Sequence, residues 1–421
     1  MSQINENTQY LNIIPTEIVL WIFSFLSPNE LVLCREVCIR WKQIIDNLYQ
    51  RDKLWRKFCV CDFPSVYKIA RYKAEPGLSW HNIYRSLTLW SKLEHAKEIH
   101  SEFASASSPR EEILDIQVLN NGLVGVHTRS GIFYYEIMTK EPSKRSPISG
   151  GYLRYMENDE TLIFLSSSFH LFIFRKVLAN PRQETTSSLS NIKMFIANDR
   201  AVYIVTLNND VHVCSLIESK LESKFLCRFP NGIMSLGFGD HLNILTDQRH
   251  IYSIINNEPI LQCNLTDVSN LLHELRKYNL LEELDWRVYF QWMYLLNHTL
   301  PHGPLRDILI IRTYCKVVFV GTTWGVLRIY YNPFINDEFD LFNSDPIKQY
   351  NFMERSDCPV LTISPIIQID VIEVEEGHMV LVAMPKKVAV LHFSHISKEA
   401  AANTIIAYND VQNINVVTMF D

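Results

Sequence analysis

The C-terminal three quarters of this chain is written in pairs of short apolar runs separated by tight turns, and the pairs recur. LVGVHT and IFYYEI flank Gly131, TLIFLSS and LFIFRK flank Phe169, VYIVTL and VHVCSL flank Asp210, and LNILTD and IYSII flank His250. Each pair has the length and the β-branched, aromatic content of a β-hairpin, and the turn centres return about every 40 residues. Two more pairs follow at wider spacing, KVVFVGTT with VLRIYYN around Gly325 and MVLVAMP with VAVLHF around Lys387. ILDIQVL, YLRYME, IKMFIA, IMSLGF and IIQIDVIEV precede several of these hairpins and supply a further strand to each. Small sheets of this kind must stack on one another, and closing the stack into a ring removes the exposed edges that invite aggregation. The chain end, TIIAYNDVQNINVVTMF, is the segment expected to provide the closing strands.

The period and the strand texture resemble a WD-repeat β-propeller of six or seven blades. The resemblance is degenerate: no Trp-Asp dipeptide ends a repeat, and Gly377-His378 is the one Gly-His pair. Residues 264 to 304 break the period. LLHELRKYNLLEELDWRVYFQWMYLLN reads as helical from Leu271 to Asn297, either as an insertion projecting from the ring or as the remnant of a seventh blade. The acidic stretch from Asn332 to Pro359 reads as an exposed loop.

Ahead of this region, residues 14 to 58 read as three short amphipathic helices. Pro15 suits a first helical position because its missing amide donor would be unpaired there, and Ile18, Ile22, Phe25 and Leu26 share a face. Ser27, Pro28 and Glu30 write a capping box for a second helix, which presents Leu31, Cys34, Val37 and Cys38. After a bend near Ile39 and Arg40, Trp41, Ile44, Ile45 and Leu48 continue the pattern, and a last helix carries Leu54, Trp55 and Phe58.

Ile14-Pro15-x-Glu17-Ile18, Ile22, Leu26, Leu31, Val37-Cys38-x-Arg40-Trp41 and Leu54-Trp55 together resemble an F-box, the module that joins substrate receptors to the adaptor of cullin-RING ubiquitin ligases. Ile14 stands where that family usually has leucine. The resemblance implies that Ile14, Pro15, Glu17, Ile18, Ile22, Phe25, Leu26, Leu31, Val37 and Trp41 face the adaptor. Trp41, Leu54 and Trp55 are also expected to serve the module's own packing and the stalk. The helix beginning SWHNIYRSLTLW, with Trp80, Ile83, Tyr84, Leu87 and Leu93 on one face, resembles the stalk that follows the F-box in receptors carrying a propeller.

The expected class is therefore α+β multidomain. An all-α F-box occupies residues 10–59, a helical linker 60–108, and an all-β propeller with a helical insertion 109–421, with the boundary near Ser108 and Pro109. A hydrophobic share of 47% and a charged share of 20% belong to a folded globular chain. A net charge of −6 is not that of a dedicated nucleic-acid binder. The N-terminus is polar rather than basic then apolar, and no apolar run reaches membrane-spanning length. Nine scattered cysteines fit the reducing cytosol or nucleus. No phosphate loop, nucleophile elbow or zinc-ligand spacing is present, so neither metal nor cofactor is expected. Cys59-x-Cys61 lacks a second pair, and His392 with His395 lacks partners near in sequence.

The F-box resemblance implies a non-catalytic receptor subunit. It holds the ligase adaptor directly, the cullin and RING subunits indirectly, and a target protein on the propeller. A non-degradative interaction scaffold is the alternative. On the propeller, Arg129, Arg249, Lys386 and Lys387 at the hairpin turns are the expected receivers of an acidic or phosphorylated target segment, with Trp324 as an apolar anchor.

Overall fold

The computed structural model describes residues 14–49, 51–176, 186–217, 221–266, 271–281, 284, 307–332, 344–352 and 364–395. Helices α1 (Thr16–Phe23), α2 (Pro28–Arg35), α3 (Ile39–Tyr49) and α4 (Asp52–Asp62) form the first unit. The break between α1 and α2 follows the capping chemistry: Ser27 accepts from the Glu30 amide, and the Glu30 carboxylate accepts from the Ser27 amide at 2.7 Å. Pro15 caps α1 from outside the helix, with ψ at 142°, one position earlier than its sequence suggested. It still contributes its carbonyl to the first helical bond, from Val19.

Val19, Phe23, Leu31, Ile45, Leu48, Leu54, Trp55 and Phe58 bury one another at the centre of this unit. Arg40 ties its ends together, donating to the Ile14 carbonyl at 2.7 Å and to Thr16 Oγ1 at 3.1 Å. Helices α5 (Tyr67–Tyr72) and α6 (Trp80–Leu89) and a 3-10 turn (Trp90–His95) then lead to the first strand. Trp80 and Tyr84 of α6 pack against both the helical core and the next one along, as a stalk requires.

Six four-stranded antiparallel sheets follow among the described residues. Blade 1 runs from Ile113 to Ser149, blade 2 from Tyr152 to Leu189, and blade 3 from Ile192 to Arg228. Blade 4 runs from Ile233 to Asn264, and blade 5 from Ile308 to Asn351. Blade 6 takes three strands from Gln368 to Ser394 and its fourth from Lys97–Phe103, which pairs in register from Lys97 with Ser394 to Phe103 with Val388. This corrects one expectation: the strand placed in the linker by a boundary at Ser108 and Pro109 belongs to a blade, so an N-terminal strand completes blade 6. The end segment from Thr404 lies outside the described residues. The acidic stretch also contributes a strand, Lys348–Asn351, the outer edge of blade 5.

The ring is held by apolar seams between successive blades. Leu119 and Tyr134 meet Tyr155 between blades 1 and 2, and Ile163 and Leu171 meet Phe195 between blades 2 and 3. Val205 and Cys227 meet Leu236 between blades 3 and 4, and Ile116 and Val124 meet Leu381 between blades 6 and 1. The seam between blades 1 and 2 also holds a buried polar group. His127 reaches the Tyr152 carbonyl through Nε2 at 3.1 Å, and burial pushes it from its ordinary 6.5 down to about 4.

Between those values the unfolded chain binds the proton and the folded chain does not. Stability is therefore complete above 6.5 and declines as the pH falls toward 4, by at most about 1.4 kcal/mol per pH unit for one group. Denaturant melts of wild type and His127→Gln across this range check it: the variant should lose stability less steeply on acidification, and equal slopes would show that His127 plays no part.

The described part of the insertion packs against the ring rather than projecting from it. Helix α7 (Leu271–Lys277) ends in a Schellman turn, with Asn279 left-handed at φ 55° and the Leu280 amide donating to the Leu275 carbonyl at 2.9 Å. Leu275, Leu280, Leu281 and Leu284 are buried against Leu245 and Ile251 of blade 4 and against Ile308, Ile311 and Val320 of blade 5. The segment is a wedge between two blades, in the place a seventh would take. The expected continuation of its helix from residue 285 to Asn297 lies outside the described residues.

Candidate functional site

In each blade the chain turns from first to second strand at one end and from second to third at the other, so the ring has two faces. The stalk occupies the first. The Glu75 amide donates to the Glu373 carbonyl at 2.9 Å, Ser86 Oγ donates to the Gly377 carbonyl at 2.7 Å, and Lys73 pairs with Asp370 at 2.5 Å. Glu373 and Gly377 flank the first turn of blade 6, Asp370 lies earlier on the same first strand, and the Cys315 thiol meets the Leu87 carbonyl at the first turn of blade 5. The helical unit is thereby fixed to one face, and the second turns carry the other face away from it.

At the centre of the junction, Ser86, Glu373 and His378 form a cluster with the outline of a catalytic triad. It cannot act as one. Ser86 Oγ and Glu373 both address His378 Nδ1, at 3.2 and 2.9 Å, whereas a triad needs serine and carboxylate on opposite ring nitrogens. All three are sealed from solvent, and Trp90 stacks on the imidazole at 3.8 Å. Burial works against the charge of Glu373, but His378 and donors from Ser86 and Trp90 hold its carboxyl below the ordinary range. Burial also pushes the Cys59 and Cys315 thiols up to about 12, which keeps them protonated and poor nucleophiles.

The free surface of the helical unit is where its chemistry lies. Helix α1 has two apolar faces. Val19 and Phe23 point into the core, while Ile18, Trp21, Ile22 and Phe25 stand outside it, with Trp21 63% and Phe25 67% exposed. Their i, i+3, i+4, i+7 spacing makes a continuous stripe, and the Trp21 and Phe25 rings meet edge to face at 5.2 Å. Leu33 on α2, Val37 in the α2–α3 turn and Ile39 at the start of α3 add further exposed apolar side chains. A small domain rarely leaves this much contiguous apolar surface unless it is covered by a partner.

The expected adaptor set divides on this geometry. Pro15, Glu17, Ile18, Ile22, Phe25 and Val37 are exposed, and Ile14 and Leu26 are half-buried. Leu31 is fully buried, so it belongs to the core rather than to a docking face. Trp41 is half-buried, packed edge to face on Phe23 at 5.2 Å. Trp21, Leu33 and Ile39 join the exposed surface beyond the expected set. Their signal was present in the helical spacing from Ile18, but the same spacing describes an inward face.

The five residues expected to meet a target all lie on second turns, the face opposite the stalk. Arg129 is paired with Glu112 at 2.5 Å and Lys387 with Glu102 at 2.5 Å. Arg249 is buried, while Lys386 and Trp324 are exposed. Among the described residues, no group of His, Cys, Asp and Glu side chains could hold a metal ion, and no helix is long and apolar enough to cross a membrane.

A family model described as F-box-like matches residues 11–61. A stretch of 90 residues is 33% identical to mitogen-activated protein kinase kinase kinase A of Dictyostelium discoideum; it makes up 20% of this chain and 9% of that protein, so the chain spans less than a tenth of this relative. Among solved structures the chain is similar to Sqt1 of Saccharomyces cerevisiae, with a TM-score of 0.41 and 9% identity over 71% of this chain and 99% of that one. It is similar also to the N-terminal domain of Nup159, with a TM-score of 0.38 and 12% identity over 68% and 76% of the two chains. BamB from Moraxella catarrhalis matches with a TM-score of 0.36 and 14% identity over 66% and 81%. The helical unit of this protein thus matches an F-box-like domain, and the six four-stranded sheets that follow it form a β-propeller.

Proposed function

We propose that this protein is a substrate receptor of a cullin-RING ubiquitin ligase working in the cytosol or nucleus. The F-box-like domain holds the ligase adaptor, and the propeller holds a target protein. The observation that carries the reading is the outward stripe of Ile18, Trp21, Ile22 and Phe25 on a domain whose core is complete without it. The receptor makes no covalent bond itself. It raises the effective concentration of target lysines near a ubiquitin-charged enzyme, and a rigid stalk serves that task because loose tethering dilutes the effect.

The test is co-purification of the adaptor and cullin with the full chain, comparing wild type with Ile22→Asp combined with Phe25→Asp. Both side chains are exposed, so the melting temperature should stay near wild type while adaptor capture falls about tenfold or more. Capture unchanged by the double substitution, or absent from wild type, sinks the proposal. Adaptor capture with no ubiquitination of any protein held by the propeller would instead favour the scaffold reading.

A further inference from the structure

The face opposite the stalk carries an apolar annulus built by a repeated backbone irregularity. The innermost strand of each of five consecutive blades begins with a β-bulge, opposite the end of the second strand: between Ile113 and Asp115, Tyr152 and Arg154, Ile192 and Met194, Ile233 and Ser235, and Ile308 and Ile310. Blade 6 pairs without one. Each bulge adds one residue at the mouth of the central channel, and bulges re-aim side chains. Four of the five added residues are apolar: Leu114, Leu153, Met234 and Leu309, with Lys193 between. Leu153 is 51% exposed. Met234 packs on the core between blades 4 and 5, whereas Leu114, like Leu153, stays exposed.

The turns around this mouth carry a second signal. In blades 2 to 5 the same tight turn places one residue in the left-handed region: Phe169 at φ 61°, Asn209 at 60°, Arg249 at 66° and Gly325 at 72°. Asparagine and glycine suit that conformation, whereas a bulky ring there is an outlier that costs stability. Phe169 is 40% exposed, so packing does not repay the cost. Leu207, 46% exposed, lies beside it across the seam, because the Phe169 carbonyl accepts from Ile192 and the neighbouring Asn191 carbonyl accepts from Leu207.

Of the cations named at these turns Lys386 stands exposed and Arg249 is buried, and the others are paired, a balance that favours an uncharged occupant. Arg129 and Lys387 already hold Glu112 and Glu102, and Arg228 holds Asp210 through Nη2 at 2.8 Å. We propose that the annulus of Leu114, Leu153, Phe169 and Leu207, on blades 1 to 3, docks an uncharged segment of a target protein through inserted aliphatic or aromatic side chains. An acidic or phosphorylated segment is not what this face is built to hold. The proposal rests on the receptor reading for the identity of its occupant as a target.

The test titrates the full chain by fluorescence anisotropy with two pooled sets of short synthetic peptides. One set is uncharged with Leu, Phe and Trp at varied spacing, and the other is rich in phosphoserine and glutamate. The uncharged set should bind, with little dependence on salt, and Leu153→Glu should weaken it about tenfold or more. Phe169→Gly supplies the contrast with a structural role. Glycine accepts the left-handed turn, so the melting temperature should hold or rise while binding falls.

Binding of the acidic set alone, binding of neither set, or uncharged-set affinity unchanged by both substitutions overturns the proposal. Adaptor capture is measured on the same proteins. Its absence from wild type would remove the receptor reading while leaving the peptide result to stand or fall by itself.

Discussion

Trp90→Ala should cost about 3–5 kcal/mol of unfolding free energy, the range for removing a large buried aromatic side chain. Trp90 is 1% exposed and joins three things at once. Its ring stacks on His378 and meets Tyr314 and Phe319 edge-on at 5.9 Å, and its Nε1 donates to Glu373 Oε1 at 3.0 Å. Alanine therefore leaves a cavity between stalk and propeller and also strips a donor from a buried carboxylate, an added penalty of about 1–3 kcal/mol if no water replaces it. Trp90→Phe helps to separate the two effects, since it loses the donor with a smaller loss of ring volume than alanine. Denaturant unfolding gives the size of each change. Hydrogen exchange on Trp80–Leu89 should show that the stalk loosens first. A Trp90→Ala protein within about 1 kcal/mol of wild type would mean that the junction is not a core.

Gly237→Ala is expected to be destabilising by about 1–3 kcal/mol, the usual cost of forcing extra volume into packed structure. The sign makes this informative. Gly237 lies in the innermost strand of blade 4 in ordinary extended backbone, where replacing glycine by alanine normally stabilises by about 0.4–1 kcal/mol. Here a Cβ would stand 2.4 Å from the Tyr278 carbonyl oxygen and 2.5 Å from that of Asn279, so the wedge would have to move. The wedge is pinned by polar contacts as well: Asn243 donates to the Tyr278 carbonyl and Ser235 to the Leu280 carbonyl, both at 3.0 Å. Displacing it strands those donors. Limited proteolysis near Leu271–Lys277 should accelerate in the variant, and a stabilised Gly237→Ala protein would show that the wedge does not hold blades 4 and 5.

Local chemistry was the legible part of this fold. The Ser27–Glu30 capping box, the breaks around α2, and all six hairpins follow from residues close in sequence, because caps, turns and period-two strands are decided within a few positions. The closing strand was not legible. Lys97–Phe103 reads KEIHSEF, a mixed sequence whose strand state depends on the open edge of Lys387–Ser394, and nothing local announces a partner so far away in the chain. Outer strands as a class share this weakness, since they pack on one side only, and the short Lys348–Asn351 strand reads as loop for that reason.

The candidate docking face shows the same division. Its residue types and helical spacing are in the sequence, and with the F-box resemblance they named Ile18, Ile22 and Phe25. Periodicity cannot say which of two apolar faces of α1 looks inward, and only the packing of α2 to α4 put Leu31 inside and left Trp21 out.

By itself, then, the sequence determined the two kinds of architecture in this protein, the helical module before the hairpins, and the positions of its caps and turns. Tertiary structure decided how the ring closes, where the insertion lies, which cations are already paired and which apolar side chains remain in water. Those properties depend on contacts between segments far apart in the chain, and local sequence carries no energy term for a neighbour it does not contain.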